Sequence, residues 1–155
     1  MPQLVKGGKH VFGWTIVSSA GIRIPPEAEE EYKFKDGDPL TLIPGSVTSG
    51  GFALASPAAL QQSPLWAVLR TQPQLVNFEI PEGDDIEING KYYSWVKLRQ
   101  SSVLVPPHTL ERYGIRRSDR LQVVRGSGLG LGFAVRGPIV DEAGRHPEIE
   151  VFGEE

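Results

Sequence analysis

Ser102 to Pro138 reads SVLVPPHTLERYGIRRSDRLQVVRGSGLGLGFAVRGP, and Gly21 to Pro57 reads GIRIPPEAEEEYKFKDGDPLTLIPGSVTSGGFALASP. The second segment superimposes on the first without a gap, at an offset of 81 residues. Pro25 and Pro26 fall on Pro106 and Pro107, Tyr32 on Tyr113, Asp38 on Asp119, and Leu40 on Leu121. Gly45-Ser46 falls on Gly126-Ser127, Gly51-Phe52 on Gly132-Phe133, Pro57 on Pro138, and the same offset carries Trp14 onto Trp95. Glycines, prolines and aromatics in register mark one structural unit written twice.

Around this pair of segments the chain divides into repeats at 1–80 and 81–155, read as a single compact domain because 155 residues fall within the roughly 100–200 expected of one. That length buries a real core without disulfides or a structural metal. The apolar and charged fractions are those of a globular protein. Cysteine is absent, which excludes disulfide frameworks, thiolate zinc sites and cysteine nucleophiles. The first ten residues hold no apolar leader core, and no apolar run approaches the roughly 18 residues of a membrane span. The expectation is a soluble, cytoplasmic protein with no membrane partner.

Local signals place the elements. Leu4–Trp14 reads as two short strands about Gly7-Gly8, and Ile86–Trp95 as a hairpin turning on Asn89-Gly90, since both turn residues tolerate positive φ. A short apolar strand follows in each copy, Ile22–Ile24 and Val103–Val105, stopped by a double proline. The second proline presets φ for a helix of about two turns, Pro26–Tyr32 or Pro107–Tyr113. Gly114 is placed to end the second of these in a left-handed conformation. Lys35-Asp36-Gly37-Asp38 and Arg116-Arg117-Ser118-Asp119 form the following turns, where an Asp side chain can accept backbone N–H groups. The strands Pro39–Ile43 and Arg120–Val124 alternate Leu40/Leu42 and Leu121/Val123 onto one face, and Gly51–Ala55 and Gly132–Arg136 complete each copy. Ser56-Pro57 opens a connecting helix interrupted at Pro64, with Leu60, Leu65, Trp66 and Leu69 as its buried side. Leu75–Ile80 reads as a strand, and Ile149–Phe152 as a last one. The unit is ββ–β–α–β–β, twice.

The run Val105-Pro106, Tyr113-Gly114-Ile115, Asp119, Leu121 resembles the core of the SpoVT/AbrB (MazE-like) swapped-hairpin family. Ile24-Pro25, Tyr32-Lys33-Phe34, Gly37-Asp38 and Leu40 repeat it in weaker form. The resemblance covers about half the chain, the Gly21–Ala55 and Ser102–Arg136 segments. It implies a mainly β fold with short helices, in which the two repeats exchange hairpins to form an AbrB-like closed barrel. That barrel would be an intramolecular pseudo-dimer, so a monomer suffices. It implies a DNA-binding protein of transcriptional-regulator type with double-stranded DNA as partner. The family's Gly-Arg before the apolar strand is absent: Ala20-Gly21 and Ser101-Ser102 stand there. The alternative expectation is therefore a non-catalytic protein-interaction or small-ligand module on the same barrel.

Charge bears on that choice. The net charge is −3, yet Lys97, Arg99, Arg112, Arg116, Arg117, Arg120 and Arg125 face only Glu111 and Asp119 in the second copy. The first copy carries Glu27, Glu29, Glu30, Glu31, Asp36 and Asp38 against Arg23, Lys33 and Lys35. Arg99, Arg116, Arg117, Arg120 and Arg125 are the candidate nucleic-acid-binding residues, since clustered arginines neutralise phosphates. The competing reading of the same residues is a charge match with the acidic first copy around Glu29–Glu31.

Catalytic and cofactor chemistry finds no footing. His10, His108 and His146 are scattered, so no convergent metal set is read. Glu82, Asp84 and Asp85 read as a solvated turn rather than a cation site. Gly126–Gly132 matches neither phosphate-loop spacing and joins strand to strand, which makes it a structural hairpin. No G-x-S-x-G elbow occurs. The expectation is no enzyme, no cofactor and no metal.

Overall fold

The computed structural model describes residues 4–6, 9–125 and 129–153. The first repeat contributes β1 (Leu4–Lys6), β2 (Lys9–Ile16), β3 (Ile22–Arg23), α1 (Pro26–Tyr32), β4 (Pro39–Pro44) and β5 (Phe52–Ala55). Three short helices follow, α2 (Pro57–Gln61), α3 (Trp66–Leu69) and α4 (Pro73–Val76). The second repeat contributes β6 (Asp85–Ile88), β7 (Lys91–Lys97), β8 (Ser102–Val103), α5 (Pro107–Arg112), β9 (Arg120–Arg125), β10 (Leu131–Ala134), α6 (Pro138–Ala143) and β11 (Val151–Phe152).

The expected local signals form as read. Asn89 and Gly90 turn the β6–β7 hairpin at φ 52° and 81°. The double prolines start α1 and α5. Gly114 is left-handed at φ 75°, and in the first copy Lys33 adopts the same conformation at φ 59°, where a side chain is strained. The Asp38 carboxylate accepts the Lys35 N–H at 2.9 Å, and the Asp119 carboxylate accepts the Arg116 N–H at 2.8 Å.

Each repeat gives its first long strand to the other. β2 pairs with β9 and β7 pairs with β4, both antiparallel, so that Trp14 lies opposite Gln122 and Trp95 opposite Thr41. The two halves meet at a pseudo-twofold axis. Phe52 lies opposite Phe133 where β5 pairs β10, and Ile22 lies opposite Val103 where β3 pairs β8; each partner is the other's counterpart in the repeat. The Phe52 and Phe133 rings stack at 4.8 Å between centroids. Loop contacts are duplicated too. Val17 N–H donates to the Asp119 carbonyl and Ser118 N–H to the Val17 carbonyl, as Leu98 N–H does to Asp38 and Gly37 N–H to Leu98.

The expected closure into a barrel does not occur. The strands form one large mixed sheet in the order β1-β2-β9-β10-β5-β4-β7-β6, with β11 added parallel to β2, and no pairing among the described residues joins its ends. β3 and β8 stand apart as a two-stranded ribbon. Their extension is blocked by Pro25-Pro26 and Pro106-Pro107, which offer no N–H to a ladder.

Alternation along the strands divides the core. Leu40, Leu42, Leu121, Val123, Phe52 and Phe133 join the ribbon's Ile22 and Val103 in a central cluster. On the opposite face Val11, Trp14 and Val124 pack under α6, while Ile43, Ala55 and Tyr93 pack under Leu60, Leu69 and Leu75 of the linker helices. Two linker expectations are corrected. The connecting helix over 57–72 is two short ones, α2 and α3, and 75–80 is the end of α4 and a turn rather than a strand. Pro73 starts that helix, Phe78 reverses the chain at φ 58°, and the Glu79 and Ile80 N–H groups donate back to the Gln74 carbonyl. The last strands are also shorter than read, and the glycine run 126–128 lies outside the described residues. No helix among the described residues is long and apolar enough to cross a membrane.

Candidate functional site around the central ribbon

The ribbon β3–β8 sits at one end of the pseudo-twofold axis, and the loops before it and after α1 and α5 gather around it. Ser18↔Gly21 and Arg99↔Ser102 bridges tighten the two entering loops identically. Two adjoining depressions flank Leu104, the residue that follows β8. One is bordered by Arg23, Lys97 and Arg99; the other by Arg99, Arg117 and Glu82. Four cations thus face the Glu82 carboxylate, with the Asp36 carboxylate close by on the Gln100 N–H. Leu104 itself is 55% exposed, between the buried Val103 and Val105.

The five sequence-derived arginines separate. Arg99 and Arg117 line the same groove. Arg99 is bound on both guanidinium nitrogens by Glu82, at 2.8 and 2.7 Å, and Glu82 also accepts the Lys97 N–H at 2.9 Å. The guanidinium holds that carboxyl below the usual glutamate range, against its partial burial. Arg116 and Arg117 are exposed on the loop after α5, and no carboxylate among the described residues pairs with them. Arg120 turns to the other face of the sheet, its guanidinium 4.3 Å from the Trp14 ring centroid. Arg125, about 17 Å farther along the strand at roughly 3.3 Å per residue, is paired in bidentate fashion with Glu31. The five candidate arginines therefore do not gather on one surface. Side-chain alternation turns Arg120 away from the ribbon, and strand length carries Arg125 off.

The charge-match reading accounts for part of the cluster. Arg125 meets the acidic first helix at Glu31, whereas the 82–85 turn of the second repeat meets cations of its own copy. Asp85 pairs with Arg112 at 3.2 Å, and Asp84 lies 3.6 Å from His108. No group of three or more metal-ligating side chains occurs among the described residues. His146 lies 3.0 Å from both Glu142 and Glu148, whose carboxylates raise its pKa above the ordinary histidine value.

Sequence reading missed Arg23, Lys97 and Leu104. A signal existed: in the repeat alignment Leu104 falls on Arg23, an apolar residue facing a charged one in otherwise apolar segments. Such a column marks a face that the core does not own. Comparison with known proteins returns no matching family model, no matching curated protein and no matching solved structure.

Proposed function

We propose that this chain is a DNA-binding, regulator-like protein of AbrB type, its two repeats forming an intramolecular swapped-hairpin pseudo-dimer. The observation that carries the reading is the reciprocal strand exchange, β2 with β9 and β7 with β4, about an axis with cations at one end. Arg23, Lys97, Arg99 and Arg117 surround the ribbon there, while the chain as a whole carries −3. Such a local surplus suits a phosphate backbone, and the binding it produces is salt-dependent. Arg125, held by Glu31 away from the ribbon, plays no part in the contact.

Fluorescence anisotropy with a mixed-sequence duplex at low salt tests this. The expected result is micromolar or tighter binding that weakens with salt, with Arg23→Ala, Lys97→Ala and Arg117→Ala each lowering the salt slope by about one. Arg125→Ala leaves it unchanged. No binding at micromolar protein, or equal loss in all four variants, refutes the assignment. A second reading, a non-catalytic interaction module on the same fold, is favoured by exposed Leu104 at the centre of the site and by the internal pairing of Arg99.

A further inference from the structure

The two sides of the ribbon carry the same groove with different chemistry. Ser18, Arg23 and Pro26 line one side, together with Glu150 and the C-terminal strand. Their counterparts Arg99, Leu104 and Pro107 line the other. The clefts share the equivalent positions Ser18/Arg99, Arg23/Leu104 and Pro26/Pro107, Ser18 borders both, and the second is the more apolar. The second is formed by Val17, Leu104, Val105, Pro106, Pro107 and Leu110, and measures about 490 Å³. Val17, Val105 and Leu110 are buried, whereas Leu104 exposes more than half of its surface. An exposed leucine against apolar walls is a surface that gains by being covered.

Charge selects the occupant. Glu82 and Arg99 neutralise each other through two hydrogen bonds. Arg117 has no carboxylate partner among the described residues, and it stands where the first repeat has Asp36. The Asp36 carboxylate accepts the Gln100 N–H at 2.7 Å and so ties its loop to the loop before β8 in the other repeat. Arg117 replaces that contact with an outward positive charge. The wall runs from Leu104, just past β8, to Pro107, the first residue of α5, and is long enough only for a short segment.

We infer that this groove docks a short apolar segment of a partner protein, its aliphatic side chains on Leu104 and the double proline, and its carboxylate on Arg117. Duplex DNA offers the charge without the apolar contact, so the groove and the DNA-binding proposal stand or fall separately.

A random peptide library displayed on phage is panned on the full-length chain and counter-selected on a Leu104→Asp chain. The expected peptides combine Leu, Ile or Phe with Asp or Glu. By anisotropy, a labelled selected peptide should bind Leu104→Asp and Arg117→Glu at least about 10-fold more weakly, a difference of 1.4 kcal/mol. Arg125→Ala should bind it as the parent does. Replacing the peptide's carboxylate with lysine should restore binding to Arg117→Glu. Arg117 lies in an exposed loop, so this charge swap keeps the test valid should Leu104→Asp misfold. Three outcomes overturn the inference: no peptide enriched over the counter-selection, a basic consensus, or binding by both variants as tight as the parent's. Self-association in sedimentation that Leu104→Asp abolishes also overturns it, by assigning the groove to a second copy of the chain.

Discussion

Phe133→Ala should weaken both repeats equally, although the substitution lies in one of them. Phe133 is 1% exposed and stacks on its counterpart Phe52 at 4.8 Å, where β5 and β10 join the two halves. Removing a buried phenylalanine ring costs about 3–5 kcal/mol in transfer and cavity terms, and the lost stacking lies within that range. Against a total of roughly 5–15 kcal/mol the variant remains folded in water wherever the parent exceeds about 6 kcal/mol. With an m-value of about 2 kcal/mol/M in urea, a loss of about 4 kcal/mol lowers the midpoint by about 2 M. Where amides in β2 exchange by global unfolding, the same loss accelerates exchange roughly 1,000-fold. Because β2 pairs with β9 and β4 with β7, each repeat's first long strand is held by the other repeat. Protection should therefore fall by the same factor in both ladders, read by hydrogen exchange with mass spectrometry. Loss of protection confined to β9 and β10, with the β4–β7 ladder unchanged, would refute the reasoning.

Two glycines should respond differently to alanine. At Gly51 (φ 67°) a Cβ would overlap the Phe133 carbonyl oxygen, so Gly51→Ala should give little folded protein on expression. At Gly114 (φ 75°) no atom lies within 4 Å of a Cβ, so Gly114→Ala should cost only the conformational strain, about 1 kcal/mol in urea denaturation. His146 sets a pH dependence. Its pKa is raised in the folded chain by hydrogen bonds to Glu142 and Glu148, so its contribution is fully present below the unfolded value of about 6.5 and is lost as pH rises through the folded value. Thermal melts should fall across that window in the parent and stay flat in His146→Gln, and an equal slope in both excludes the histidine.

The repeat, the elements within it and their order were legible in the sequence because each rests on local chemistry. Asn89-Gly90 needs no distant partner to turn, and Pro26 or Pro107 starts a helix by its own ring. Asp38 and Asp119 bond three residues back. Even the division of the core followed from alternation, Leu121 and Val123 to one side and Val124 to the other. Where two local signals competed, the reading failed. The apolar run Leu75–Ile80 suited a strand, but Pro73 had already set helical φ and Phe78 capped it.

What tertiary structure alone decided is which residues share a surface. Arg125 and Glu31 are 94 positions apart, and their pairing depends on the packing of α1 beside the end of β9. Arg120 stands next to Arg117 in the chain's charge pattern yet faces Trp14 across the sheet, since each step along a strand reverses the side chain. The ribbon remained short because the prolines that mark the repeat so clearly also end its ladder. Composition and spacing determined one unit built twice. Strand exchange about the axis determined that Arg23, Lys97, Arg99, Leu104 and Arg117 meet at a single site, because contacts between repeats are set by register and not by order along the chain.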